Sequence, residues 1–377
     1  MANITIRATN FRVIKHLEWQ PDGLCLLAGA NGAGKTTCLN VLLFLRNLFE
    51  WGHESAFQTV GGGSYFRRLG IMEEETVNFE VEIDNIVWKL RFPMSNSGIK
   101  GTYGEELTRD GEVVLRAGLF DETWLLGSRR LPLDEKRCCA KVLWDRGESN
   151  WMKPLATALI GLLIYKSFYL NQVQKSEPVS TSVSYLHRTG NNLWSVLATW
   201  KSAPLRYRGQ FEWVMAEARH AFPDIVGNIE FDRGFPYLFL PGTADPEDCL
   251  PPSLAADGLL TGLLQLTAVA GARPGSIIAF DEMENQLHPH AIRSLLAAMR
   301  KQASERDLTI IVTAHSPVVM NTFRRDPEQF FVLQRGADIM PVPLTDLHDE
   351  DWLAAFSLGD LYDRLDFAAP DLNRLEN

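Results

Sequence analysis

The stretch that most constrains this chain is LLAGANGAGKTTCLNVLLFL, residues 26–45. It fits the spacing Gly29-x4-Gly34-Lys35-Thr36, follows the apolar run Leu24 to Ala28, and precedes a helical pattern from Lys35 to about Phe49. Strand, glycine loop and helix, in that order, form the context a phosphate-cradling loop requires. Glycines at 29, 32 and 34 let the backbone wrap an anion without Cβ clashes, so successive N–H groups and the helix N-terminus point at it. Gly29, Ala30, Asn31, Gly32, Ala33, Gly34, Lys35, Thr36 and Thr37 are therefore the candidate nucleotide-binding residues. Lys35 places a point charge near the β and γ phosphates, and the Thr36 hydroxyl can ligate magnesium.

A second half-site lies far downstream in GSIIAFDEMENQLHPH. Ser276 to Phe280 reads as a strand buried in a parallel sheet, ending in the pair Asp281-Glu282. Open α/β sheets place their ligands at the carboxyl ends of such strands. There Asp281 can hold magnesium and Glu282 can orient a water that attacks the γ phosphate. An acidic turn capping the helix that Pro289 begins, with Ile292, Leu295, Leu296 and Met299 inward, is the plainer alternative. The glycine loop in the same chain favours the site. Another buried strand, Leu308 to Thr313 in LTIIVTAHSP, leads to His315 on the same rim, within reach of a γ phosphate.

Composition narrows the class. The 377 residues suffice for one large or two ordinary domains, and 46% hydrophobic with 22% charged residues describes an ordinary globular chain. No apolar run approaches a bilayer span and MANITIRATNFR lacks a signal-peptide core, so the cytoplasm is expected. Cys25, Cys38, Cys138, Cys139 and Cys249 show no C-x-x-C spacing and read mostly as small buried hydrophobes. A net charge of -10 argues against a phosphate-coated surface, and the short basic spots Arg67-Arg68, Arg129-Arg130 and Arg324-Arg325 read as solvated turns.

Along the chain, Ile4 to Arg7 and Phe11 to Ile14 read as edge strands leading into the loop strand. Gly61-Gly62-Gly63 reads as a loop. In VNFEVEIDNIVWKLRF, Val77, Phe79, Val81 and Ile83 share one face, Asp84-Asn85 turn the chain, and Trp88, Leu90 and Phe92 return. Asp110-Gly111 signals a further hairpin, completing an antiparallel meander. From about 150 to 220 the pattern is helical in WMKPLATALIGLLIYKSFYL, NNLWSVLATWK and GQFEWVMAEARHAF. A loop and lobe boundary is expected near 241–253, and FFVLQRGADIMPVPL reads as a last strand pair before an acidic helical tail. The expected division is 1–92 and 251–377 as two halves of one head, with 93–250 as a hairpin and helical insertion.

These motifs together resemble the ABC-type ATPase heads of the RecF/SMC class, and most of all the stand-alone AAA-family ATPases related to the overcoming-lysogenization-defect (OLD) proteins. The resemblance rests on G-x-N-G-x-G-K-T, the strand with Asp-Glu, Met283-Glu284-Asn285-Gln286-Leu287-His288-Pro289, and TAHSP. It extends through NFRVIKHLEW, RTGNNLWSVL and FSLGDLYDRL. It implies an α/β P-loop NTPase of ABC-head type: a mainly parallel central sheet, an antiparallel meander and a helical insertion. It implies ATP and magnesium as ligands, Asp281 with Thr36 as metal residues, Glu282 polarising the lytic water, His315 as switch histidine with Lys35, and Asn285 to His288 crossing between protomers. Asp257-Gly258, opening the helix Leu259 to Ala270, matches the family's signature, with Ala256 where the family has a serine. Neither Gln58 nor Gln172 has the spacing that would decide the family's Q-loop glutamine.

In ABC heads the signature helix faces away from its own phosphate loop, so the resemblance implies a homodimer around ATP. The interval between the motifs lacks sustained heptads, which excludes a long coiled-coil tether. The residues after His315 are too few for the nuclease domain of OLD proteins. The resemblance thus implies a head coupled to a separately encoded effector, a nuclease or toxin, in anti-phage defence. A RecF-like clamp on DNA is the alternative. A transporter subunit is disfavoured by LHPH and AHSP, and no membrane partner is expected.

Overall fold

Alternating strands pair into one large, mainly antiparallel sheet and continuous apolar runs into a mainly parallel one in the computed structural model. It describes residues 4 to 359 except 63–64, 71–74, 96–97, 100–102, 119–123, 127–128, 132–136, 148, 176, 244, 335, 337, 350–352 and 354–356. Gly63, the acidic tail and most of FSLGDLYDRL lie outside the described residues, as do the side chains of Arg129 and Arg130.

Strands numbered along the chain fall into three sheets. The parallel sheet runs β11 (Leu163–Tyr165), β15 (Ile277–Phe280), β16 (Thr309–Thr313), β3 (Leu24–Gly29), β17 (Phe330–Leu333), with β19 (Val342–Pro343) antiparallel at its edge. The meander sheet holds β1 (Ile4–Phe11), β2 (Ile14–Trp19), β4 (Thr76–Ile83), β5 (Ile86–Ser95), β6 (Gly98–Ile99), β7 (Gly104–Arg109), β8 (Glu112–Ala117), β9 (Trp124–Leu126), β10 (Arg129–Leu131) and β18 (Ile339–Met340). A small sheet joins β12 (Asn228–Asp232), β13 (Phe235–Phe239) and β14 (Cys249–Leu250). The helices are α1 (Lys35–Trp51), α2 (His53–Thr59), α3 (Cys139–Asp145), α4 (Lys153–Ile160), α5 (Leu170–Val173), α6 (Leu193–Ser202), α7 (Pro204–Ala221), α8 (Asp257–Gly271), α9 (Pro289–Arg306), α10 (Pro317–Asn321) and α11 (Leu344–Leu347).

The two cores lie on opposite faces of the parallel sheet, and β3 shows why: Cys25 and Leu27 join one, Leu24, Leu26 and Ala28 the other. On the first face α1 packs between the two sheets, with Phe44 in an aromatic group at 4.8 Å from Phe66 and 4.9 Å from Phe79, ring centre to centre. On the second face lie α6 to α9. The phosphate-loop helix is thereby fixed between the sheets, and the rim of the parallel sheet is left free for a site.

The hairpins form at the expected turns. Ile83 pairs with Ile86 around Asp84 (φ 53°), and Asp110 (φ 54°) with Gly111 turns β7 into β8. Both rest on the left-handed tolerance of Asp and Gly in tight hairpins. The meander continues through residues 92 and 93, both in β5.

Four expectations are corrected. β1 is not an edge strand, because β2 and β4 pair on its two sides. The apolar segment 151–170 is not one helix: after α4, Leu163–Tyr165 pairs in parallel with β15. The last strand pair is split, since β19 returns along β17 while β18 crosses to pair with β2. The stretch 241–253 is not only a loop, because Cys249–Leu250 closes the small sheet.

One buried carboxylate ties the meander to α3. Glu105 on β7 is fully buried and accepts from Trp88 Nε1 (2.8 Å), Cys139 N (2.7 Å) and Ala140 N (2.8 Å). A carboxylate at a helix N-terminus satisfies N–H groups that the helix itself leaves unbonded. Glu105→Leu is expected to strand these donors and lower stability by about 3 kcal/mol or more, read as an earlier urea midpoint. An unchanged midpoint would show that these bonds do not hold the lobe.

Candidate functional site

The parallel sheet carries its strand ends to a common rim. Thr313 pairs with Leu27 and Val312 with Phe280, so the residues following β3, β15 and β16 emerge side by side. At Gly29 any larger residue fails: a Cβ there would lie 2.7 Å from Leu333 O, the backbone of the neighbouring strand. The loop closes with Ala33 N donating to Ala30 O (3.1 Å), and the helix starts with Cys38 N donating to Gly34 O (2.9 Å). Lys35 is buried and folds back, its Nζ donating to Gly29 O (2.6 Å) and Ala30 O (3.3 Å). Burial holds its ammonium below the usual lysine value, while Asp281, Glu282 and Glu284 pull the other way.

The structure brings the two halves of the site together at the next residue. Thr36 Oγ1 donates to Asp281 Oδ2 at 3.1 Å, across 245 positions of sequence. Asp281 directly follows β15 and is fixed from two further directions: Thr313 Oγ1 donates to its Oδ1 (2.6 Å), and its own N–H donates to Tyr165 O (2.9 Å). Thr313 also accepts from Glu282 N (2.8 Å). Glu282 adopts a left-handed backbone (φ 53°), a conformation a non-glycine residue holds only when its surroundings enforce it. Its Oε2 accepts from Asn285 Nδ2 (3.0 Å).

A cavity of about 220 Å³ is lined by Asn31, Lys35, Thr36, Asp281, Glu282 and His315, together with Val13, Gly32, Gly34 and Thr37. His315 is placed there by Glu284, whose Oε1 accepts from the backbone N–H of His315 (2.6 Å) and of Ser316 (3.1 Å). Burial and then the Lys35 charge push the His315 imidazole below its usual value, while Glu282 and Asp281 pull the other way. Burial raises the Glu284 carboxyl. A hydroxyl and a carboxylate at hydrogen-bond distance are an oxygen donor set that suits magnesium, and Thr36 with Asp281 are the residues that would hold it.

Asp257 and Gly258 do not line this cavity. They open α8, which abuts the loop after the acid pair: a Cβ on Gly258 would meet Gln286 O at 2.5 Å, Thr261 Oγ1 donates to Gln286 Oε1 (3.3 Å), and Gln265 Nε2 donates to Met283 O (2.8 Å). Ala256 is the N-cap of α8 and supplies no side-chain bond, and Asp257 accepts from Gln174 Nε2 (2.9 Å). Gln58 on α2 and Gln172 on α5 do not line the cavity either.

Sequence reasoning missed Thr313, Glu284 as the group that seats His315, and Lys166. Lys166 follows β11 and donates to Asn40 Oδ1 on α1 (2.6 Å), near enough to Asp281 to feel its charge. The Thr ending a buried strand was the one available signal for Thr313. Lys166 had none, because its strand was hidden in a helical-looking run.

Residues 247–321 match the family described as "AAA domain, putative AbiEii toxin, Type IV TA system". The match spans α8, the acid pair and His315, whereas Lys35 and Thr36 lie outside it and join the site through geometry. No curated protein matches the chain. Among solved structures the chain is similar to an SMC head bound to the C-terminal winged-helix domain of ScpA, at 12% identity over 91% of this chain and 99% of that one, TM-score 0.49. It is also similar to an SMC head domain from Thermotoga maritima, at 13% identity over 91% and 98%, TM-score 0.43. A third is an SMC head with extended coiled coil bound to the C-terminal domain of ScpA, from Pyrococcus furiosus, at 12% identity over 92% and 98%, TM-score 0.46. At this distance the likeness assigns no residue. Among the described residues no helix is long and apolar enough to cross a membrane.

Proposed function

We propose that the chain binds and hydrolyses ATP with magnesium and closes as a dimer around the nucleotide. The observation that carries the first part is the 3.1 Å contact between Thr36 and Asp281, which joins a glycine phosphate loop to an acid pair in one cavity. Loop amides and the α1 N-terminus would receive the β phosphate, and Lys35 would exchange its two loop carbonyls for phosphate oxygens. When bound, magnesium would neutralise charge on the β and γ phosphates. Glu282, pointed into the cavity by its left-handed backbone and steadied by Asn285, would orient the water. His315, which lines the same cavity, would hydrogen-bond the γ phosphate.

The dimer is supported by what the cavity leaves out. Asp257, Gly258 and the loop 285–288 sit on the surface, Ala256 and Asp257 are exposed, and the α8 N-terminus has no side-chain cap. An N-terminus with free amides suits the γ phosphate held by a second copy. Ala256 offers one hydrogen bond fewer than a serine there, which favours slow turnover. Following the resemblance to stand-alone heads, the effector would be a separately encoded nuclease or toxin in anti-phage defence, a setting supported by the toxin named in the matched family's description.

The test is ATPase activity across protein concentration. Specific activity is expected to rise and then plateau as dimers fill, and Ala256→Ser to tighten ATP-dependent association about fivefold, roughly 1 kcal/mol. Constant specific activity from a chain that stays monomeric at saturating ATP would overturn the composite site.

A further inference from the structure

Although the chain carries 47 acids against 37 lysines and arginines, a group of cations collects beside α1 that, among the described residues, has no carboxylate within ion-pair distance. Arg46 donates to Asn47 Oδ1 (2.8 Å) and Arg188 reaches the same oxygen (3.4 Å). Lys166 donates to Asn40 Oδ1 (2.6 Å), and Arg12 to Val60 O (2.7 Å). Every acceptor is a neutral amide oxygen, so the side chains are positioned while their charge is left standing. Arg7, on the outer face of the meander, shows the contrast: it is gripped by Glu18 (2.9 Å), Glu80 (2.6 Å) and Glu82 (2.8 Å).

Glu50 acts on Arg46 and Asp281 on Lys166 from beyond ion-pair distance, which offsets part of the charge. Arg46 Nε is buried without an acceptor. Burial lowers the proton affinity of Arg12, Arg46, Lys166 and Arg188, and they act on one another: Arg188 feels Arg46, and Lys166 feels both Arg12 and Arg188. Half-buried like charges held together without a paired counter-ion oppose folding, and functional sites are where such local costs are kept.

Asn40 and Asn47 lie two turns apart on one face of α1, about 10 Å along its axis, so Lys166 on the first and Arg46 with Arg188 on the second are spaced in a row along the helix. A row suits a string of phosphates better than a single anion. Exposed rings flank it. Tyr169 is 49% exposed and its N–H donates to Thr189 O (2.8 Å), beside Arg188. Tyr185 is 61% exposed, its ring 5.6 Å from that of His187, just before Arg188. Cations tracking a backbone, with rings on which any base can stack, are the elements of single-strand recognition.

We propose that the cations bordering α1 bind single-stranded nucleic acid, with Arg12, Arg46, Lys166 and Arg188 taking backbone phosphates and Tyr169 and Tyr185 stacking on bases. The proposal is independent of whether the neighbouring cavity hydrolyses ATP. The test is fluorescence anisotropy of the full chain without nucleotide, using labelled oligo-dT, a duplex of equal length, and inorganic polyphosphate as competitor, over a salt series. Oligo-dT is expected to bind more tightly than duplex, with log affinity falling linearly with log salt. Arg188→Gln should weaken binding and flatten that slope by about one. Tyr169→Ala with Tyr185→Ala should cost at least tenfold for oligo-dT at unchanged slope, and nothing for polyphosphate. Tyr169 and Tyr185 are exposed and Arg188 is half-buried, and unchanged melting curves confirm that the variants fold. No binding of oligo-dT at low salt would overturn the proposal. So would equal affinity for duplex, or competition by polyphosphate with the tyrosine variant silent, which would mark a phosphate patch only.

Discussion

Glu282→Gln is expected to cut ATP turnover by about 100- to 10,000-fold, the range a positioned general base contributes, while leaving ATP affinity within a few-fold of the parent. The side chain lines the cavity but is not the group that holds Thr36 or Lys35, so binding and turnover separate. Gln keeps the length of Glu but loses its negative charge and its capacity to take a proton. Single-turnover hydrolysis against equilibrium nucleotide binding reads the two quantities apart. The variant is also expected to accumulate as an ATP-bound dimer on size exclusion. Turnover within threefold of the parent would remove Glu282 from the chemistry.

Lys35→Ala acts at the other step. Its ammonium already donates to two loop carbonyls and has only to swing to phosphate oxygens, charge-assisted contacts worth about 1.5–3 kcal/mol each. Its loss is expected to weaken ATP by about 100-fold or more, measured by calorimetry, with little change in thermal unfolding because water can serve the freed carbonyls. Retained affinity would mean that the glycine loop does not hold the triphosphate.

How much of this was legible in the sequence follows from where the physics is local. The glycine loop, the two hairpins at Asp84-Asn85 and Asp110-Gly111, and the runs that became β3, β15 and β16 each carry their signal within a few residues, through turn chemistry or uninterrupted apolar character. Leu163–Tyr165 carries none: three residues inside a helix-like run become a strand only because the edge of β15 offers them partners. The same holds for β1, whose alternation reads equally well at an edge or between two strands, and for β18, placed by a crossover no local pattern announces.

The site divides in the same way. Lys35, Thr36, Asp281, Glu282 and His315 stand in strings with recognisable spacing, whereas Thr313 and Glu284 matter through what they touch across the rim. The cations beside α1 are the extreme case. Arg12, Arg46, Lys166 and Arg188 come from four separate segments, so a search for basic runs finds Arg67-Arg68 and passes over them.

The central claim is that a triphosphate and its metal are held between Thr36 and Asp281. It is tested most directly by a crystal structure of the chain with magnesium and a non-hydrolysable ATP analogue. The account predicts one metal ion about 2.1 Å from Thr36 Oγ1, with Asp281 bound to it directly or through water, and the γ phosphate between Lys35 and His315. A triphosphate seated elsewhere, or bound in the loop with the Asp281 carboxylate turned away from its metal, would contradict it.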